Sequence, residues 1–255
     1  MCIRDSGRKP AELHELYERF RRVLSGLAPV RSDGAFASAL WDLWQRMFAR
    51  SSPRWRERFV LSVDEYFHAC IWEAENRAKR RLPSVADYTR LRRLTAALNT
   101  NVELIEICEH VYLPETVHAH PVVRRLTLAA NNVICWATDV ISLAKERRAG
   151  DAQMLASLLE RECGLDWQSA VERARQMHDA ELRLFLELER ALPRFGGSVS
   201  SELERYTEIL RAWMRGNLDW ARETGRYMPA EPRPSGFREI LGGPVPELWR
   251  KRSSA

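Results

Sequence analysis

Glycine and proline are scarce in this 255-residue chain, at 12 each, and no stretch alternates apolar and polar residues for long. Together they lean the composition strongly to helix and leave no sign of strands. The five cysteines, at positions 2, 70, 108, 135 and 163, are odd in number and scattered. That excludes a disulfide framework and a cysteine zinc site, and they read as reduced core residues. None of the six histidines stands in an HExxH or HxxxH pattern. His118-Ala119-His120, next to Pro121, falls in an expected loop and reads as surface. No uninterrupted apolar run reaches the roughly 18 residues that suggest a membrane span. The nearest candidate, residues 126–144, is broken by Asn131, Asn132, Thr138 and Asp139 and reads as a core helix. The N-terminus has no apolar segment of the kind found in secretory signals, so the expected location is the cytoplasm. Basic residues outnumber acidic ones by 40 to 35, for a net charge of +5. This mild excess is spread over helix faces without interleaved aromatics, so nucleic acid is not an expected partner.

What is present is helical. With 45% hydrophobic residues the chain can build one sizeable core, and the apolar spacing predicts about nine helices and no strand or repeat. They are expected near residues 11–27, 35–49, 54–80, 85–95, 97–111, 122–148, 151–163, 167–191 and 202–224. The caps are Ser32-Asp33, Ser52 before Pro53, Ser84, Asp151 and Asp166. Residues 1–10 match nothing that follows and read as a foreign leader. Residues 228–255 hold most of the late Pro and Gly and read as an irregular tail. The organisation is one all-α domain over residues 11–227.

The helix expected at 122–148 carries the chemistry. Residues four apart lie one turn up the same helix face, about 6 Å along the axis. Thr138, Ser142 and Glu146 therefore form one oxygen-bearing ridge on an apolar rod. Two hydroxyls and a carboxylate suit a hard cation such as Mg²⁺, and Lys145 beside them could hold a phosphate oxygen by point charge. The ridge alone leaves another reading open. Hydroxyls in buried helices often bond back to the carbonyl four residues earlier, and a Glu beside Lys and two Arg can be a solvated helix end.

Three further segments line up with the ridge. Pro83-Ser84-Val85-Ala86-Asp87-Tyr88-Thr89-Arg90-Leu91-Arg92-Arg93-Leu94-Thr95 resembles the P-S-x-x-x-Y-x-x-x-R-R-x-T signature of bacterial class I terpene synthases. Arg92 stands 46 positions before Thr138, the offset of that family's pyrophosphate-sensing arginine. The ridge resembles its N-D-x-x-S-x-x-x-E metal motif, followed by Arg147-Arg148-Ala149-Gly150-Asp151 for K/R-x-x-G-D. Trp213 to Trp220 resembles W-x-x-G-N-x-x-W, and Arg226-Tyr227 the terminal R-Y pair. The resemblance covers residues 11–227 in order and spacing. It implies a single-domain helical bundle that ionises an isoprenyl diphosphate to a cyclic terpene and pyrophosphate, with farnesyl diphosphate favoured and geranyl or geranylgeranyl diphosphate as alternatives. It further implies three Mg²⁺, one of them held by Thr138, Ser142 and Glu146. Arg92, Lys145 and Arg226 would bind pyrophosphate oxygens, with Tyr227 donating a hydrogen bond. Phe67, Thr95, Ala96 and Trp220 would contact substrate, and a homodimer is among the implied partners.

Two departures stand out. The family places Asn where this chain has Thr138, and a hydroxyl is shorter and less polar than an amide carbonyl. The second metal motif, D-D-x-x-D/E, would fall at or before Met1. No adjacent Asp pair occurs anywhere, and Asp64-Glu65 is only a partial imitation close to the ridge. The chain is therefore expected to lack the N-terminal helices and to expose an apolar groove where they pack. A non-catalytic homologue that binds a prenyl chain or a partner helix is the rival reading. A prenyl-chain-elongating synthase would need two Asp-rich motifs, and a helical DNA-binding domain would need clustered basic residues.

Overall fold

The computed structural model describes residues 9–148, 150 and 152–227. Most of the expected leader, the tail, Cys2 and the expected cap Asp151 lie outside these residues. The described residues form ten α-helices and no strand. These are α1 (Pro10–Leu24), α2 (Gly34–Phe48), α3 (Pro53–Ala78), α4 (Val85–Thr95) and α5 (Leu98–Glu109). They continue with the single turn α6 (Glu115–His118), α7 (Pro121–Arg148), α8 (Leu155–Cys163), α9 (Trp167–Arg190) and α10 (Val199–Glu223). A 3₁₀ turn, Gly225–Tyr227, follows.

Start signals act where the sequence places them. The Ser52 hydroxyl accepts from the Trp55 amide at 3.1 Å, Ser84 from the Asp87 amide at 3.0 Å, and the Asp166 carboxylate from the Ser169 amide at 3.0 Å. Each satisfies one of the amides orphaned at a helix start. Ser32-Asp33 behaves differently. Asp33 ends a 3₁₀ turn and its carboxylate accepts from the Val30 amide at 2.8 Å, while Gly34 at φ 84° re-aims the chain into α2. The loop expected at 114–121 contains the turn α6.

The helix α7 is the axis of the larger core. Sixteen of its 28 residues are buried, including every residue from Ala129 to Ala137, as expected for a helix apolar on all sides. By length and composition it could cross a membrane, but 78% of its most apolar window is buried inside the fold. The helices α8, α9 and α10 pack around it with Leu126, Leu155, Leu158, Phe185, Leu203 and Leu210 between them, each contributing about 1.5–3 kcal/mol by leaving water. A second core joins α1, α2 and α3 through Tyr17, Leu24, Trp44, Trp55, Phe59, Val63 and Phe67. Large apolar side chains remain exposed mainly at Leu27, Val30, Phe36, Leu43 and Phe48.

His118 departs from expectation. His118 is half-buried, its ring edge meets the Tyr206 ring at 6.3 Å, and its Nε2 has no partner. The α6 turn folds it inward, so it is not a surface residue. Burial, helped by the nearby Arg58 charge, lowers its pKa to about 4. The folded state then binds fewer protons than the unfolded chain between about pH 6.5 and 4, so stability is full above that window and falls as pH drops through it. We expect a loss of about 2–3 kcal/mol by pH 4, read as a falling thermal midpoint. Glu103 and Glu106, raised by burial despite Arg58, act in the opposite sense. A His118→Phe variant isolates the histidine: its midpoint should fall less over that window.

The cysteine expectation holds for two residues and not for two others. Cys70 and Cys135 are buried, and burial pushes both thiols up to about 12, which removes the reactive thiolate. Cys108 and Cys163 are exposed. Alkylation at pH 8 under native conditions should therefore label Cys108 and Cys163 and spare Cys70 and Cys135, as read by peptide mass spectrometry.

Candidate functional site

The helix α7 presents Thr138, Ser142 and Glu146 along one wall of a cavity of about 400 Å³. The hydroxyl of Thr138 donates to the Ile134 carbonyl at 2.9 Å, and that of Ser142 to the Asp139 carbonyl at 3.3 Å. Each hydroxyl spends its one proton on the helix and leaves its lone pairs for a ligand. The back-bonding reading and the ligand reading are thus compatible. Ser142 and Glu146 are 7% and 4% exposed, so a cation bound to them would be largely desolvated. Two hydroxyl oxygens and a carboxylate fit a hard cation and lack the soft donors of zinc sites. Among the described residues, no three His, Cys, Asp or Glu side chains converge as a metal cluster.

Across the cavity α4 brings Arg92, whose Nε donates to Asp139 at 2.8 Å. The Tyr88 hydroxyl donates to the other oxygen of the same carboxylate at 2.8 Å. Burial opposes charge on Arg92, but the Asp139 carboxylate outweighs it and holds the guanidinium firmly protonated. Burial, then the Asp139 charge, pushes the Tyr88 hydroxyl well up, so it stays a donor. Asp139, itself on the cavity lining, therefore fixes the arginine, with one oxygen bonded by Arg92 and the other by Tyr88. Thr95 and Ala96 line the cavity at the break between α4 and α5. That break is made by Ala97, which takes the left-handed conformation at φ 58°, a strained choice for a residue with a Cβ.

The far end of α10 closes the cavity with Asn217 and Trp220, and the following 3₁₀ turn adds Arg226 and Tyr227. The rings of Trp220 and Tyr227 meet edge-on at 5.8 Å. Lys145 is not on the lining, but its Nζ stands 5.7 Å from the Tyr227 ring centre, and the Arg226 guanidinium 5.9 Å from it. Ten of the eleven residues singled out in the sequence thus gather at this cavity or its rim. Phe67 does not. It is 4% exposed and packs against Tyr17 at 5.5 Å and Phe20 at 5.4 Å, because its side of α3 faces α1.

A neighbouring face of α3 supplies residues that sequence reasoning missed: Tyr66, Cys70, Glu73 and Arg77. Their spacing of four, three and four is a helical stripe, and that was the available signal. The 3.0 Å Glu73–Arg77 pair looks like an ordinary solvated pair in the sequence. Gln153, 7% exposed, also lines the cavity and donates to the Arg81 carbonyl at 3.3 Å.

A family model described as terpene synthase family 2, C-terminal metal binding, matches residues 3–183. The (+)-T-muurolol synthase of Roseiflexus castenholzii, described as cyclizing (2E,6E)-farnesyl diphosphate, is 35% identical over 223 residues, 88% of this chain and 68% of that protein. The 10-epi-cubebol synthase of Sorangium cellulosum is 33% identical over 228 residues, 89% of this chain and 72% of that one. Among solved structures, germacradien-4-ol synthase from Streptomyces citricolor superposes with a TM-score of 0.75 at 27% identity, covering 86% of this chain and 71% of that one.

Proposed function

We propose, for a chain that belongs to the terpene synthase family, that residues 11–227 cyclise farnesyl diphosphate by ionising it in the α7 cavity. The enzyme class, a terpene cyclase that splits a carbon–oxygen bond at a diphosphate, follows from that membership. The observation that carries the finer reading is the single cavity on which Arg92, Arg226, Tyr227 and the Thr138–Ser142–Glu146 ridge converge. Ionisation moves negative charge onto the leaving pyrophosphate, and preorganised positive groups aimed at it lower the barrier most. Arg92 is held in place for this by Asp139. Arg226 and Lys145 both lie beside the Tyr227 ring, and the Tyr227 hydroxyl can donate to a pyrophosphate oxygen.

Thr138, Ser142 and Glu146 would hold one Mg²⁺ of three, and bound Mg²⁺ would neutralise the departing diphosphate. The allylic cation left behind would face Tyr66 and Trp220, whose ring faces attract a positive charge. Half of the Trp220 surface is exposed, which leaves it accessible to substrate. In this proposal the chain acts in the cytoplasm as a homodimer. The exposed apolar side chains Phe36, Leu43 and Phe48 on α2 support the dimer, and a monomer mass by light scattering would remove it.

The test is pyrophosphate release from farnesyl diphosphate with Mg²⁺, with products identified by gas chromatography and mass spectrometry. Chelation should abolish release. Glu146→Ala should lower it by about 10²-fold or more, and undiminished turnover would sink the role given to Glu146. No release by the unaltered chain would favour the non-catalytic, prenyl-binding alternative.

A further inference from the structure

The α7 cavity has an open end and a closed one. The open end carries Arg226 and Trp220, both exposed. From there the lining runs inward along α7 from Glu146 to Cys135 and Ile134, and along α3 from Arg77 to Cys70 and Tyr66. Glu146 to Cys135 and Arg77 to Tyr66 are each steps of eleven residues, about 16.5 Å of helix. The Arg92 charge acts on both thiols, which places Cys70 and Cys135 at one level of the cavity. Apart from Tyr66, the inner end is small and apolar: Cys70, Leu98, Ile134 and Cys135 are all buried.

Beyond that end the character changes. Glu65 on α3, Arg93 on α4, Asn99 on α5 and Asn131 on α7 line a separate cavity of about 800 Å³. Each lies next to, or one turn from, a residue of the first lining: Tyr66, Arg92, Leu98 and Cys135. Asn131 Nδ2 donates to Asn99 Oδ1 at 3.1 Å, and Asn99 Nδ2 to Glu65 at 3.2 Å. A hydrocarbon forced among these groups would strip water from the Glu65 carboxylate and the Arg93 guanidinium. It would offer no hydrogen bond in return, and charge buried in that way is strongly unfavourable. The α7 cavity therefore stops a chain twice, by contact with the apolar side chains and by the charged layer behind them.

We propose that Cys70 and Ile134 set the longest prenyl chain this cavity takes, so that farnesyl diphosphate is turned over and geranylgeranyl diphosphate is excluded. The inference rests on the cyclase reading above and narrows its substrate class. With the diphosphate at the open end, the tail of the chain folds against Cys70, Leu98 and Ile134. One further isoprene unit would have to pass them and meet Glu65 and Arg93. Cys70 is the smallest of the three, so the side chain at position 70 sets how much hydrocarbon fits. The thiol suits this place for a second reason. Burial keeps Cys70 and Cys135 protonated, so the inner end faces the allylic cation without a thiolate that would capture it.

The experiment compares kcat/KM for geranyl, farnesyl and geranylgeranyl diphosphate with Mg²⁺. The unaltered chain should favour farnesyl over geranylgeranyl diphosphate at least tenfold. Cys70→Phe fills the inner end and should lower the farnesyl-to-geranyl ratio at least tenfold. Ile134→Ala opens it and should raise the geranylgeranyl-to-farnesyl ratio at least tenfold. Ratios taken within one preparation do not depend on how much of it is folded, so a purely structural role would leave them unmoved. Should Cys70→Phe fail to fold by circular dichroism, Cys70→Leu makes the same change in a smaller step and should shift the ratio the same way. Equal use of farnesyl and geranylgeranyl diphosphate by the unaltered chain, or ratios unmoved in folded variants, overturns the proposal. Absence of any turnover fails the cyclase reading, and calorimetry with the unreactive farnesyl and geranylgeranyl thiolodiphosphates then decides. Binding at least tenfold tighter for the farnesyl analogue supports the limit on chain length, and a smaller preference overturns it.

Discussion

Arg92→Ala should cost about 3–5 kcal/mol of stability and at least 10²–10³-fold in turnover, and the two losses should be separable. The stability loss comes from Asp139. That carboxylate is 6% exposed and is bonded by Arg92 and Tyr88, each at 2.8 Å. Removing the guanidinium leaves a buried charge with one hydroxyl donor, and such an orphan costs more than the intact pair contributed. Helical circular dichroism at room temperature should survive while the urea midpoint falls. The turnover loss follows from the proposed function, in which Arg92, on the cavity lining, binds the departing pyrophosphate. The double variant Arg92→Ala, Asp139→Asn removes the orphan charge and should recover most of the stability without recovering turnover. Recovery of both would reduce Arg92 to a structural partner of Asp139. Loss of neither in the single variant would remove it from the site.

The helices of this fold were readable from apolar spacing, because each buries a continuous stripe and the strongest start signals are local. Ser52, Ser84 and Asp166 cap their helices whatever surrounds them. The ridge was readable for the same reason, since residues four apart on one helix must share a face. What could not be read depends on the packing of distant segments. Phe67 and Cys70 lie on the same long helix, yet one faces α1 and the other the cavity, and no local pattern says which neighbour each will meet. His118 looked like a loop histidine until the α6 turn folded it against Tyr206. Ala97 has no local reason to be left-handed. Its conformation is imposed by the packing of α4 and α5, and it sets Thr95 and Ala96 at the cavity edge. The hydrogen bonds from Asn131 to Asn99 and from Asn99 to Glu65 join α7, α5 and α3, so they exist only once those helices are assembled.

Trp55→Ala should be the most destabilising single substitution in the α1–α3 layer, at about 3–5 kcal/mol for the lost side chain. Trp55 is fully buried, stacks on Phe59 at 4.8 Å and on Trp44 at 6.4 Å, and its indole Nε1 donates to the Glu103 carbonyl of α5 at 2.7 Å. Alanine would empty the centre of this core and leave that carbonyl unbonded, a further penalty of about 1–3 kcal/mol where water cannot reach it. Trp55→Phe separates the terms. It restores most of the volume, stays without the hydrogen bond, and should cost about 1–3 kcal/mol. Urea unfolding at constant pH measures both, with an unchanged slope confirming that the denatured state is not the cause. The link to α5 gives the prediction a functional side. Trp55 ties α3 to α5, and those helices carry Tyr66, Glu73 and Leu98 on the walls of the α7 cavity. A Trp55→Phe variant that folds should therefore bind substrate more weakly than it ionises it, raising KM with a smaller effect on kcat. If Arg226 binds pyrophosphate as proposed, Arg226→Ala should do the reverse.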